Sequence, residues 1–212
     1  MPSRLAEYRL FFREFLRNFH STGAILPSGR ALASALTRFV REPGSARHIL
    51  EVGPGTGAVT RRLVADLRPD DWLDLVELND SFVERLRERL ANEPPFQVVA
   101  DRTRVLHCAV EDLPPQPKYH LIVSGLPLNN FSAETVQRIL TALLGLLEPG
   151  GTLSFFEYIA VRRARAVVSG RSERARLRGI GQALDAVFAQ GEIRRDWVLA
   201  NVPPAWVHHV RR

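Results

Sequence analysis

Apolar residues recur along the chain with two different periods. In residues 4–19, Leu5, Tyr8, Phe11, Phe12, Phe15, Leu16 and Phe19 fall within an arc of about 140° at helical spacing. Arg9, Arg13 and Arg17 lie together beside that arc. The segment is therefore expected to be an amphipathic helix, broken at His20–Gly23. A second helix is expected from an N-cap at Ser28 to Val40, with Pro43 and Gly44 closing the segment. From there the pattern changes to short apolar runs alternating with helical ones. Strands are expected at His48–Val52, Trp72–Glu77, Arg104–Ala109, His120–Ser124 and Thr152–Tyr158. Helices are expected at 58–67, 81–92, 133–147 and 172–189, with Glu148-Pro-Gly-Gly151 terminating the third of these. Two further strand-like runs, Ile193–Leu199 and Ala205–Val210, flank a Pro203-Pro204 turn. Such alternation implies an α/β architecture: a mostly parallel sheet covered by helices, with the final pair as an antiparallel hairpin at one end. Residues 1–42 read as a helical extension and 43–212 as the sheet-bearing domain.

Composition narrows the class. With 212 residues, 45% hydrophobic and 25% charged, the chain is ordinary globular material with room for one core. Its longest uncharged apolar stretch, 139–147, is far short of the roughly 20 residues that span a bilayer. The N-terminal stretch is broken by arginines and is not expected to be a signal peptide. A single cysteine, Cys108, excludes a disulfide scaffold; it is expected to be a packed thiol in the third strand. No Cys/His cluster is present, so no metal is expected. The net charge of +6 suits a polyanionic partner, either nucleic acid or an anionic lipid surface.

Candidate chemistry gathers at strand ends. Glu51-Val-Gly53-Pro-Gly55-Thr-Gly57 follows one strand and opens a helix, where glycines let the backbone approach a ligand. Its spacing is not that of dinucleotide sites. Glu77 closes the next strand, placed to accept from the two hydroxyls of a ribose. Glu111 and Asp112 follow the third strand, where an acid can accept from an adenine amino group. Ser124-Gly-Leu-Pro127-Leu-Asn-Asn130 follows the fourth. Open α/β sheets bind ligands at these carboxyl ends.

This ordered set resembles the class I S-adenosylmethionine-dependent methyltransferases, over about residues 46–212. The resemblance implies a Rossmann-like fold with S-adenosylmethionine as cofactor. It also implies a donor site drawn from Glu51, Gly53, Gly55, Gly57, Glu77, Leu78, Glu111, Asp112 and Ser124. Within that class, Phe15-Leu-Arg-Asn18-Phe-His-Ser-Thr-Gly23-Ala-Ile-Leu-Pro27-Ser28 resembles a segment of bacterial phospholipid N-methyltransferases. Those enzymes act on phosphatidylethanolamine, and their relatives on ornithine lipids. The alternative is the rRNA adenine N6-methyltransferases. Adenine-amino enzymes carry a polar acceptor and an aromatic platform in the fourth motif. Here Gly125 and Leu128 stand at those places, which favours an aminolipid over nucleic acid. The resemblance places the acceptor site under the N-terminal helices, with Tyr8, His20, Glu157 and Tyr158 as candidate catalytic side chains. The Phe/Arg helix either packs on its own domain or lies in the headgroup region. The arginines of 162–178 form either a solvated helix face or a contact for lipid phosphates. Together these features lead to an expected peripheral position on the cytoplasmic face of the cell membrane.

Overall fold

The computed structural model describes residues 29–159, 171–189, 191–201 and 203–212. Seven strands form one sheet in the order β3-β2-β1-β4-β5-β7-β6. They are β1 (His48–Val52), β2 (Trp72–Glu77), β3 (Thr103–His107), β4 (Tyr119–Ser124), β5 (Leu147–Tyr158), β6 (Glu192–Val198) and β7 (Ala205–Arg211). Strands β1 to β5 pair in parallel. Strand β7 runs antiparallel to both β5 and β6, so the expected hairpin is present, with its second strand inserted between the first and the parallel core.

Helices cover both faces. They are α1 (Arg30–Leu36), α2 (Ala58–Asp66), α3 (Asp80–Asn92), α4 (Pro94–Gln97), α5 (Ala133–Leu146) and α6 (Arg171–Phe188). The central strands are largely apolar on both sides because both sides are buried. In β1, Ile49 joins Leu36, Leu63, Leu86 and Phe96 beneath α1–α4. Its neighbour Leu50 joins Ile139, Leu143, Ile180 and Leu184 beneath α5 and α6. Residues 30–41 belong to the first of these layers, with Leu32, Leu36 and Val40 buried.

Several expected boundaries shift for identifiable reasons. The second expected helix stops at Leu36 rather than Val40, is N-capped by Gly29 rather than Ser28, and tightens into a 3-10 turn at Arg38–Arg41. At its end the Thr37 hydroxyl donates back to the Ala33 carbonyl. Helix α3 begins one residue early because the Asn79 side chain accepts from the Phe82 amide. Glu148-Pro-Gly-Gly151 ends α5 but lies within β5, where the pairing with β4 shifts register and Gly150 takes φ +80°. The third strand ends at His107, so Cys108 lies beyond it. The helix expected at 4–19, with Tyr8 and His20, lies outside the described residues, as do Ser28 and the arginines at 162, 163 and 165.

Candidate functional site

The loop after β1 is shaped by its glycines. Gly53, Gly55 and Gly57 all take left-handed backbone angles, which cost a side-chain-bearing residue roughly 1 kcal/mol or more. Gly57 is the N-cap of α2. At Gly53 a Cβ would meet the Leu126 side chain at 2.6 Å. The turn and the end of the next strand are tied by one carboxylate. Glu77 Oε2 accepts from the Gly55 amide at 3.0 Å, while Oε1 accepts from the amides of Leu78 and Asn79 at 2.8 and 2.9 Å. Burial raises the Glu77 pKa, and the three amides oppose that rise. A cleft runs over these strand ends, bounded by Gly53, Glu77, Leu78, Cys108, Glu111 and Leu126 among others. Glu111 is half-buried there, 4.0 Å from Arg138 Nε.

Three expected donor-site residues stand elsewhere. Asp112 is exposed and does not border the cleft, because the 3-10 turn at Val110–Asp112 carries it past the rim. Ser124 is enclosed at the end of β4, opposite Val52. Its hydroxyl acts on the protein's own chain, accepting from the Leu126 amide at 3.4 Å. Glu51 is wholly buried beneath the glycine turn, with neither carboxylate oxygen hydrogen-bonded. Two cleft features were hidden in the sequence. Cys108 packs against the core as expected but just beyond β3, where it also borders the cleft, and burial followed by the Asp112 charge raises its thiol pKa. His107 Nε2 reaches the Leu78 carbonyl at 3.2 Å and so helps hold the end of β2.

The segment after β4 is closed and apolar. The Gly125 amide donates to the Val52 carbonyl at 2.8 Å. A Cβ at position 125 would lie 2.8 Å from the Gly53 carbonyl oxygen, so no side chain fits there without displacing the glycine loop. Leu126, Leu128 and Phe131 are buried. Arg176, expected to face solvent or lipid phosphate, instead donates to the carbonyls of Asn129 and Phe131 and ties α6 to this segment. At the end of β5, Glu157 is buried and half-buried Tyr158 sets its ring edge-on to Phe156 at 5.1 Å. Burial raises the Tyr158 pKa.

A buried polar network lies farther along the sheet, where alternation alone promised an ordinary strand. His209 Nδ1 lies 2.8 Å from Ser154 Oγ and its Nε2 lies 3.4 Å from Asp196. Asp196 also accepts from Arg38 at 2.6 Å and Arg194 at 2.8 Å. On the other face of β7, His208 Nδ1 contacts Glu192 at 2.6 Å. These contacts join β5, β6, β7 and the turn after α1. Among the described residues no cluster suited to a metal ion occurs.

The family model described as a methyltransferase domain matches residues 49–151. The chain is 27% identical over 150 residues to the ornithine lipid N-methyltransferase of Singulisphaera acidiphila, covering 71% of this chain and 77% of that protein. It is 39% identical over 82 residues to the ribosomal RNA small subunit methyltransferase A of a Synechococcus strain, covering 38% of this chain but only 25% of that protein. Among solved structures, the Bacillus cereus O-methyltransferase in complex with SAH superposes with a TM-score of 0.62 at 14% identity, over 95% of this chain and 90% of that one. The O-methyltransferase TomG of Streptomyces achromogenes, in complex with SAM, gives 0.61 at 18% identity, over 89% and 81%.

Proposed function

Given that the chain is an S-adenosylmethionine-dependent methyltransferase with a class I domain, we propose that it methylates the amine of an aminolipid headgroup, phosphatidylethanolamine or an ornithine lipid, at a membrane surface. The observation that carries this reading is the segment after β4. A base-modifying enzyme needs a polar acceptor and a stacking platform there for the extruded base. Here position 125 has no room for a side chain, and Leu128 is buried. The ornithine lipid relative is also matched over most of its length, whereas the ribosomal RNA relative is matched over a quarter.

The residues present fit the donor. Gly53 borders the cleft with no room for a side chain beside Leu126, and the Glu77 carboxylate stands at the strand end where a nucleoside's ribose hydroxyls can be received. Glu111 borders the same cleft on the side of β3 and suits an amino group of a base. When bound, S-adenosylmethionine supplies an activated methyl group on a sulfonium, so the protein's work is alignment and exclusion of water. Leu126, beside the glycine loop, keeps that side of the cleft dry. The attacking amine must be neutral, and an alkylamine has an ordinary pKa near 10.4; an apolar site lowers it. Glu157 and Tyr158 are the described side chains assigned to orient the amine at the end of β5, with Tyr8 and His20 as further candidates in the N-terminal segment.

Among the described residues no helix is long and apolar enough to cross a membrane, so attachment is assigned to peripheral contact with an anionic, inward-facing leaflet. The test is lipid mass spectrometry of cells expressing the protein. N-methylated phosphatidylethanolamine or ornithine lipid is the expected result. Unchanged lipids together with dimethylated adenine in ribosomal RNA would establish the nucleic-acid reading instead.

A further inference from the structure

The glycine turn adjoins a buried carboxyl group on which no cation acts. Glu51 is fully enclosed in β1, flanked in the sheet by Leu75 and Val123, and both of its oxygens lack a hydrogen-bond partner. The Thr60 hydroxyl on α2 is buried beside it, an uncharged neighbour that opposes the rise in its pKa without balancing a negative charge. The charged group that acts on Glu51 is another acid, Glu77 on β2, and the polar neighbour on α2 is Thr60. An ionised carboxylate without a cation or full hydrogen bonding is strongly disfavoured in such a place. The donor, by contrast, is a cation at its sulfonium, and the thioether product left after transfer has lost that charge.

We propose that Glu51 is a neutral acid in the free protein and releases its proton to solvent when the sulfonium donor occupies the glycine loop above it. One positive charge enters and one proton leaves. The carboxylate then stabilises the cationic donor and not the neutral product, which makes Glu51 a residue that discriminates donor from spent donor. Burial, with Glu77 adding to it and Thr60 opposing, raises the Glu51 pKa to about 8, which places the release within the physiological range. The inference needs the donor alone and is independent of which acceptor is methylated.

The experiment is isothermal titration calorimetry of the whole chain at pH 7 with S-adenosylmethionine, in phosphate and in Tris, whose ionisation enthalpies differ. Wild-type protein should release close to one proton per donor bound, and fewer with S-adenosylhomocysteine. Donor affinity should rise by nearly tenfold per pH unit between pH 6 and 7 and level off above about 8. Glu51→Gln should bind without proton release and with a flat pH profile. Donor-induced infrared difference spectra of the wild-type protein give a readout that does not depend on the variant folding: a protonated carboxyl band should vanish as donor is added. Donor binding with no proton release, release that persists in Glu51→Gln, or no loss of the carboxyl band would each overturn the proposal. If S-adenosylmethionine does not bind at all, it is the assignment of the donor that fails.

Discussion

Two residues shape the glycine loop and the strand end proposed to receive the donor, and each predicts a different loss. Glu77 holds three backbone amides, one of them from the glycine turn across the strand gap. Hydrogen bonds to a charged group contribute about 1.5–3 kcal/mol each. Glu77→Ala should therefore weaken S-adenosylmethionine binding at least tenfold by calorimetry and loosen the Gly55 amide in hydrogen exchange. Glu77→Gln should do less, since its amide oxygen, placed as Oε1, still accepts from Leu78 and Asn79 and only the Gly55 bond is lost. Gly125→Ala acts by crowding. Its methyl group would sit 2.8 Å from the Gly53 carbonyl, so the donor loop must shift. A close-packed site resists such insertion by about 1–3 kcal/mol. Reduced donor affinity with an intact circular dichroism spectrum is the expected outcome, and unchanged affinity would show that the two loops move freely past each other.

Among the elements, the join between the turn after α1 and the sheet's antiparallel side is the one that pH should loosen. Burial holds the His209 pKa down near 4, against an ordinary value near 6.5. Unfolded chain binds a proton there between those values and folded chain does not, so stability falls as the solution is acidified from about 6.5 towards 4. The loss approaches about 3 kcal/mol for the single site. Asp196 adds to it at lower pH. Although burial opposes this, the Arg38 and Arg194 guanidiniums hold its carboxyl below the usual range, so its contribution is lost as pH falls through that lowered value. Urea midpoints should drop between pH 7 and 5 in the wild-type protein and drop less in His209→Gln. This network also marks the limit of what periodicity reveals. Strands β1 and β2 were legible to the residue because short, mostly apolar runs of five or six residues bounded by turn residues have few alternatives. The glycine turn and Glu77 were legible because special backbone angles and a carboxylate at a strand end leave a local signature. The pairing of Ser154, His209 and Asp196 depends on three strands meeting, and adjacent histidines in an apolar run carry no hint of it. For the same reason the placement of Asp112 off the cleft, Cys108 on it and Arg176 under the β4 loop could not be read: each depends on where a one-turn helix or a strand end stops.

At the scale of the whole molecule, the net charge of +6 and the proposed lipid acceptor lead to a surface-binding prediction. Changing Arg9, Arg13 and Arg17 together to Glu should reduce co-sedimentation with anionic vesicles, with donor affinity unchanged. Rising salt should weaken the wild-type interaction as screening shortens below about 10 Å. A triple variant that sediments like its parent would assign membrane contact to other surfaces. The order of the sheet has a consequence of another kind. Strand β6 is made before β7 yet pairs in the sheet with β7 alone among the described strands, and β7 fills the gap between β6 and β5. While β7 is still inside the exit tunnel, β6 has no strand partner, and the edge of β5 lies open with its hydrogen-bonding groups unmet. Exposed Trp197 and Leu199 emerge in that interval. A nascent chain tethered so that Val198 is outside the exit tunnel and Ala205 still inside it should therefore be protease-sensitive across β6 and prone to capture by chaperones, and releasing about seven more residues from the tunnel should close the sheet in one step.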